Sequence, residues 1–168
     1  TYTISKSNIE SLLFKNFSDE PQLKYTRQTY ETLTEVEPIK VTIEENDDLS
    51  IYVKYEDTYA QSLSRFRSTG MLINTTTSDV LPHFSVVIVV NDVGEMKLSK
   101  TLRESEPPQH TEWKAKNITD NVTLRNRAAR DIRKIGKEIQ RVLDEFEKAD
   151  ITDKMDAGVG DYLPDSAD

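Results

Sequence analysis

The sequence predicts an α+β domain in which a mainly antiparallel sheet of about four strands packs against a long C-terminal helix. Strands are indicated by alternation of apolar and polar residues over positions 39–55, which is typical of a sheet with one solvent-facing side. The helix is indicated by apolar residues at steps of three and four over positions 121–148. A chain of 168 residues is long enough for one domain with a hydrophobic core.

The domain organisation follows from where this patterning begins and ends. We expect an N-terminal helical or irregular segment over residues 1–36, including a short helix over 5–15. The α+β core occupies residues 37–149, and residues 150–168 form an acidic, flexible tail.

Composition excludes several classes of function. The chain has no cysteine, which removes disulfides, zinc ribbons and thiol nucleophiles. No apolar run approaches the roughly 18 residues of a membrane span. The first residues lack the apolar core of a signal peptide, so a cytoplasmic location is expected. The net charge of −8 repels bare nucleic acid unless the positive charge is segregated.

Four strands can be placed. Residues 39–43 and 49–55 alternate around a polar turn and predict a β-hairpin, whose acidic residues at 44–45 and 47–48 are attributed to solvation. A third strand is expected to start at 71–73, before a polar loop over 75–79. The apolar run at 84–90 predicts a central strand that is buried on both faces.

The remaining segments give weaker signals. Residues 22–36 favour neither helix nor strand, and residues 58–69 are ambiguous, because Tyr59, Leu63 and Phe66 would share one face of a helix. A turn or two of helix is expected over 98–103, because Pro107 and Pro108 prevent its continuation.

The predicted long helix has its cations in the N-terminal half and its acids in the C-terminal half, the opposite of what the helix dipole favours. Gly136 stands beside the apolar seam, where a missing side chain would allow close packing. The cations could form a solvated face that pairs with acids of the same protein, or a surface for phosphate, nucleic acid or an acidic partner. They are Arg125, Arg127, Arg130, Arg133, Lys134 and Lys137.

No constellation of catalytic or metal-binding residues stands out. There is no G-x-S-x-G elbow, Walker loop or G-x-G-x-x-G, so the chain alone is not expected to be an enzyme. His83 and His110 lie in different elements without ligand-spaced partners, so no metal site is expected. Residues 91–95 half-resemble a D-x-G-x-G nucleotide loop but lack its second glycine, which favours a strand-ending turn.

Two other places could bind a partner. Arg65 and Arg67 could hold a phosphate or carboxylate through forked hydrogen bonds, or could be ordinary surface arginines. The only tryptophan could plug the edge of the core or anchor a partner. It closes a proline-containing loop whose notable residues are Glu106, Pro107, Pro108, His110 and Trp113.

Three segments together resemble a known family. Residues 67–73 are similar to an R-x-x-G-M-x-I pattern, residues 102–113 to L-R-x-x-E-P-P-x-H-x-x-W, and residues 158–165 to G-x-G-x-Y-L-P-D. In this order they resemble the C-terminal region of bacterial GHKL-type ATPases, which share the gyrase, chaperone, histidine-kinase and MutL fold. The resemblance covers roughly residues 39–165.

The resemblance implies a transducer-like α+β domain with a helical end, and ATP and Mg²⁺ bound by an upstream domain rather than by this chain. It implies a non-catalytic coupling region that relays nucleotide state to a partner or second protomer. Arg65 or Arg67 would be the phosphate-sensing residue, although family transducers more often use a lysine. Two alternatives are a stand-alone interaction module, such as a phage or defence-system adaptor, and a nucleic-acid-binding module that uses the basic front half of helix 121–148.

Overall fold

The computed structural model describes residues 21–78, 83–92 and 96–159, so the predicted helix over 5–15 lies outside the described residues. The fold class is α+β, as predicted. The elements in chain order are α1 (Pro21–Glu35), β1 (Ile39–Val41), β2 (Leu49–Tyr55), β3 (Gln61–Arg67), β4 (Leu72–Ser78), β5 (Phe84–Val90), α2 (Lys97–Glu104), a 3₁₀ turn (Ala115–Asn117) and α3 (Val122–Val159).

The sheet has five strands rather than about four, in the order β1-β2-β5-β3-β4. It is mainly antiparallel, and the one parallel pair among the described strands is β3 with β5. The predicted hairpin is confirmed, because Ile39 lies opposite Ile51 and Val41 lies opposite Leu49. The predicted central strand is confirmed as well: β5 lies in the middle of the sheet, and Val87 and Ile88, on its opposite faces, are fully buried.

The apolar core lies between one face of the sheet and α3. The seam of α3 contributes Ile135, Ile139 and Val142, which pack with alternate residues of β2 and β5. Asn121 caps the helix, because its Oδ1 accepts a hydrogen bond of 2.9 Å from the backbone N–H of Leu124. The helix was predicted over 121–148 but extends to Val159, so its backbone enters the segment assigned to the tail.

The opposite face of the sheet is covered by α1 through polar contacts. Gln28 bonds both to the carbonyl of Ala60 at 2.9 Å and to its N–H at 3.0 Å. Thr29 shares a hydrogen bond of 3.1 Å with Ser64. Buried polar groups are stable when they are hydrogen-bonded, so this interface needs little apolar area. For the same reason, residues 22–36 show no apolar stripe from which a helix could be predicted.

Two predictions for β3 and β4 are corrected. The ambiguous segment 58–69 contains a strand, β3, and the predicted loop over 75–79 belongs to β4, which continues to Ser78. Ser64 pairs with Thr75 across the two strands, and their hydroxyl groups are 2.9 Å apart. Threonine side chains suit a pleated strand even where they are polar, which explains why a polar run is not a loop here.

Gly136 does not allow the close packing that its position suggested. A Cβ atom built at Gly136 would meet nothing within 4 Å. The glycine is exposed and borders open space rather than a neighbouring element.

The attribution of the hairpin's acidic residues to solvation is wrong for Asp48, which is fully buried. Its carboxylate accepts hydrogen bonds from the backbone N–H groups of Ile43 at 2.7 Å and of Glu44 and Glu45 at 2.8 Å each. Backbone donors in a turn have no strand partner, so this carboxylate supplies the acceptors that fix the turn.

Candidate interaction site

A buried carboxylate joins the two parts of the chain that the sequence singled out separately. The Glu106 side chain is fully buried and ion-pairs with Arg67 of β3, whose Nε lies 2.9 Å from Glu106 Oε1. Trp113 Nε1 donates to the same oxygen at 3.0 Å, and His110 Nδ1 lies 2.8 Å from Oε2. We call these four residues the Glu106 clasp.

The local chain geometry brings the clasp together. After α2 the chain turns at the two prolines, and the N–H of His110 bonds to the carbonyl of Pro107 at 2.8 Å. His110 has a positive φ of 53°, which few residues other than glycine adopt without strain. The N–H of Lys114 and the side chain of Asn117 then bond to the carbonyl of Ser105, closing the loop.

The clasp is a structural feature. Trp113 is buried in the core cluster, as the core-edge interpretation predicts. Arg67 is held by a buried carboxylate, and burial together with the nearby Arg103 lowers the pKa of its guanidinium. A forked arginine–carboxylate pair occupies the donors that would otherwise bind a ligand. Arg67 is therefore a weak candidate for phosphate sensing.

Arg65 lies on the same face of β3 as Arg67 but has different hydrogen-bond partners. Its Nη1 donates to Asn74 Oδ1 and Thr76 Oγ1 of β4, at 3.0 Å each. It forms no ion pair with any carboxylate of the described ranges. Burial lowers the pKa of its guanidinium, because the charged form loses part of its hydration. Arg65 is thus a partly buried cation whose partners, among the residues that the structure describes, are all neutral.

Arg65 lines an elongated groove between the sheet and α3. Its first part has a volume of about 440 Å³ and is bordered by Arg65, Trp113, Gly136, isoleucines of α3 and the ion pair of Glu112 with Lys114. A second hollow of about 280 Å³ shares Leu63, Thr76 and Ile139 with the first and continues to Leu143. We call the two together the Arg65 groove. A partly apolar groove with one cation that lacks a carboxylate partner among the described residues is suited to an anionic group on an apolar body.

The six cations of α3 do not form one surface. Arg130 pairs with Glu44 and with Asp131, and Lys134 Nζ donates to the carbonyl of Ile43 at 3.0 Å. Both therefore tie α3 to the β1–β2 turn, as the internal-pairing interpretation predicts. Arg127 borders a separate hollow of about 670 Å³ between α2 and α3, together with Lys97, Lys100 and Arg103.

The side chains of the other three cations, Arg125, Arg133 and Lys137, form no hydrogen bond or ion pair with residues 21–78, 83–92 or 96–149. Arg133 and Lys137 are exposed. The nucleic-acid alternative is weakened, because two of its cations are committed to internal contacts and long-range phosphate binding depends on the number of free charges.

Asp131 is a buried carboxylate that sequence reasoning missed. Its Oδ1 accepts two bonds of 3.1 Å from Arg130, whereas its Oδ2 accepts none from the described residues. Burial raises the pKa of Asp131, although Arg130, Lys134 and Arg127 act in the opposite direction. From the sequence, the only indication that Asp131 is buried is its position next to Ile132 of the apolar seam.

Two other residues that the sequence suggested, His83 and Asn91, form hydrogen bonds inside the fold. His83 Nδ1 lies 2.6 Å from the carbonyl of Tyr59, which only accepts, so this nitrogen carries the proton. Within the described ranges, no three His, Asp or Glu side chains are grouped to hold a metal ion. Asn91 bonds to Asp47 and Ser50 at the end of β5, while residues 93–95 lie outside the described residues.

Two of the three family-like segments contact one another. Arg67 meets Glu106, and Asn74, one residue beyond the first segment, donates to the carbonyl of Thr111 at 3.1 Å. The third segment lies mostly outside the described residues. Among the described helices, none combines the length and apolar character that crossing a membrane requires.

Comparison with family models, with curated proteins and with solved structures finds no match to this chain. The geometry of its own residues must therefore support any functional proposal.

Proposed function

We propose that this chain is the non-catalytic coupling region of a larger cytoplasmic GHKL-type ATPase, which relays nucleotide state to a partner or a second protomer. ATP and Mg²⁺ would be bound by an upstream domain. The observation that carries the proposal is Arg65, a desolvated cation that borders a groove and has no carboxylate partner among the described residues. Such a cation costs stability, so a ligand that compensates its charge is a reason for its presence.

The two arginines that the resemblance left as alternatives differ in their contacts. Arg67 is committed to Glu106 inside the fold, whereas Arg65 keeps Nε and Nη2 without a partner among the described residues. A guanidinium with two free donors can bind a phosphoryl or carboxylate group bidentately. We therefore assign the sensing role to Arg65.

The test is the Arg65→Ala substitution in the full-length protein. We expect nucleotide-dependent dimerisation or ATP turnover to fall about tenfold, the size of a typical coupling energy between two sites. Arg133→Ala is the matched control, because the Arg133 side chain is exposed and forms no bond with the described residues. It should leave both properties unchanged. Unaltered turnover and dimerisation in the Arg65 variant would contradict the proposal.

A further inference from the structure

We infer that the Arg65 groove binds residues 160–165 of a second copy of this chain, so that two copies exchange tails reciprocally. These residues read Gly-Asp-Tyr-Leu-Pro-Asp. They place two bulky apolar side chains between two carboxylates. This matches a partly apolar groove in which Lys114 pairs with Glu112 and Arg65 has no carboxylate partner among the described residues.

The shape of the groove favours an extended segment. Along α3 it runs from Ile132 to Leu143, which spans about 16 Å at the rise of an α-helix. That length corresponds to about five residues of extended chain. Leu163 precedes Pro164, and proline disfavours the helical conformation at the residue before it, so binding in an extended form costs less conformational entropy at this position.

The groove and the segment 160–165 are complementary both in charge and in apolar character. Arg65 would receive one of the flanking carboxylates, from Asp161 or Asp165, through its remaining donors. Tyr162 and Leu163 would fill the apolar part, where Leu63 and Ile139 belong to both hollows. Gly136 borders the same groove and leaves it open, because it has no side chain.

A chain cannot place its own tail in its own groove. The end of α3 at Val159 is about 24 Å beyond Leu143 and about 35 Å beyond Gly136 along a continuous helix. Asp165 is six residues past Val159 and reaches at most about 21 Å. The occupant must therefore come from another copy, and a reciprocal exchange gives a closed two-fold dimer.

The test uses the whole chain in sedimentation experiments over the micromolar range. We expect a dimer for the unmodified chain and a monomer for the double variant Tyr162→Ser and Leu163→Ser. Gly136→Leu should also give a monomer, because the new side chain projects into the groove. Gly136→Ala is its matched control and should remain a dimer. Thermal unfolding should show that both glycine variants fold, since leucine and alanine favour a helix over glycine.

A labelled synthetic peptide of residues 158–168 isolates the contact itself. It should bind the Tyr162→Ser, Leu163→Ser variant, and Arg65→Ala in that background should weaken binding by about tenfold or more. Arg65 also carries the proposed sensing role, so these experiments omit nucleotide, and their failure is separate from failure of that role. A monomeric unmodified chain, a dimer that survives Gly136→Leu, or equal peptide binding with and without Arg65 would overturn the inference.

Discussion

Replacing Glu106 by alanine is expected to lower the free energy of unfolding by about 3 kcal/mol, since breaking a buried ion pair leaves its partner uncompensated. The Glu106 carboxylate is fully buried and bonds to Arg67, His110 and Trp113. Without it, the Arg67 guanidinium and the Trp113 N–H lose their acceptor. Urea unfolding monitored by the fluorescence of the single tryptophan measures the effect.

Glu104→Ala is the matched control, because Glu104 is an exposed glutamate two residues earlier. Its effect should stay within about 0.5 kcal/mol, as for other surface substitutions. Glu106→Gln should fall between the two, since it keeps an acceptor for Trp113 but removes the charge. Equal stability of the Glu106→Ala and Glu104→Ala variants would contradict the structural role of the clasp.

Replacing Asp48 by alanine is expected to lower the free energy of unfolding by about 2 kcal/mol, a little less than the loss at Glu106. The substitution removes the acceptor of three backbone N–H groups. Two of these donors, those of Glu44 and Glu45, belong to half-buried residues that water can reach, which limits the cost. Hydrogen exchange of the three amides, measured by NMR, should accelerate as well.

Asp48→Asn retains one oxygen and should cost less than Asp48→Ala. The control is Asp47→Asn at the neighbouring position. Asp47 is exposed and has a positive φ of 50°, which asparagine tolerates, so this change should be nearly neutral. If the Asp47 and Asp48 variants were equally stable, the carboxylate of Asp48 would not hold the turn.

The sequence correctly predicts the elements whose apolar residues recur at regular spacing and pack in the core between the sheet and α3. The hairpin, β5 and most of α3 follow from alternation, an apolar run and a seam. The pattern fails for α1 and β3, because their shared interface buries Gln28, Ser62 and Ser64. In a sequence, polar residues that are buried and hydrogen-bonded look the same as polar residues that face solvent. The spacing of apolar residues therefore could not predict the secondary structure of these two elements.

The members of the Glu106 clasp could be named from the sequence, but their contact could not. Arg67 and Glu106 are 39 positions apart, and their meeting depends on β3, which the pattern left ambiguous. The same limit applies to the Arg65 groove, which needs β3, β4 and α3 together. Asp48 gave a weak local signal, because an aspartate that follows a short turn can accept the N–H groups of that turn.

The measurement that tests the proposed function most directly is ATP hydrolysis by the complete open reading frame, compared with hydrolysis by residues 1–168 alone. We predict turnover by the complete protein and none by this chain, because the proposed function assigns the nucleotide site to an upstream domain. Hydrolysis by the isolated chain, or none by the complete protein, would contradict a non-catalytic coupling region of an ATPase.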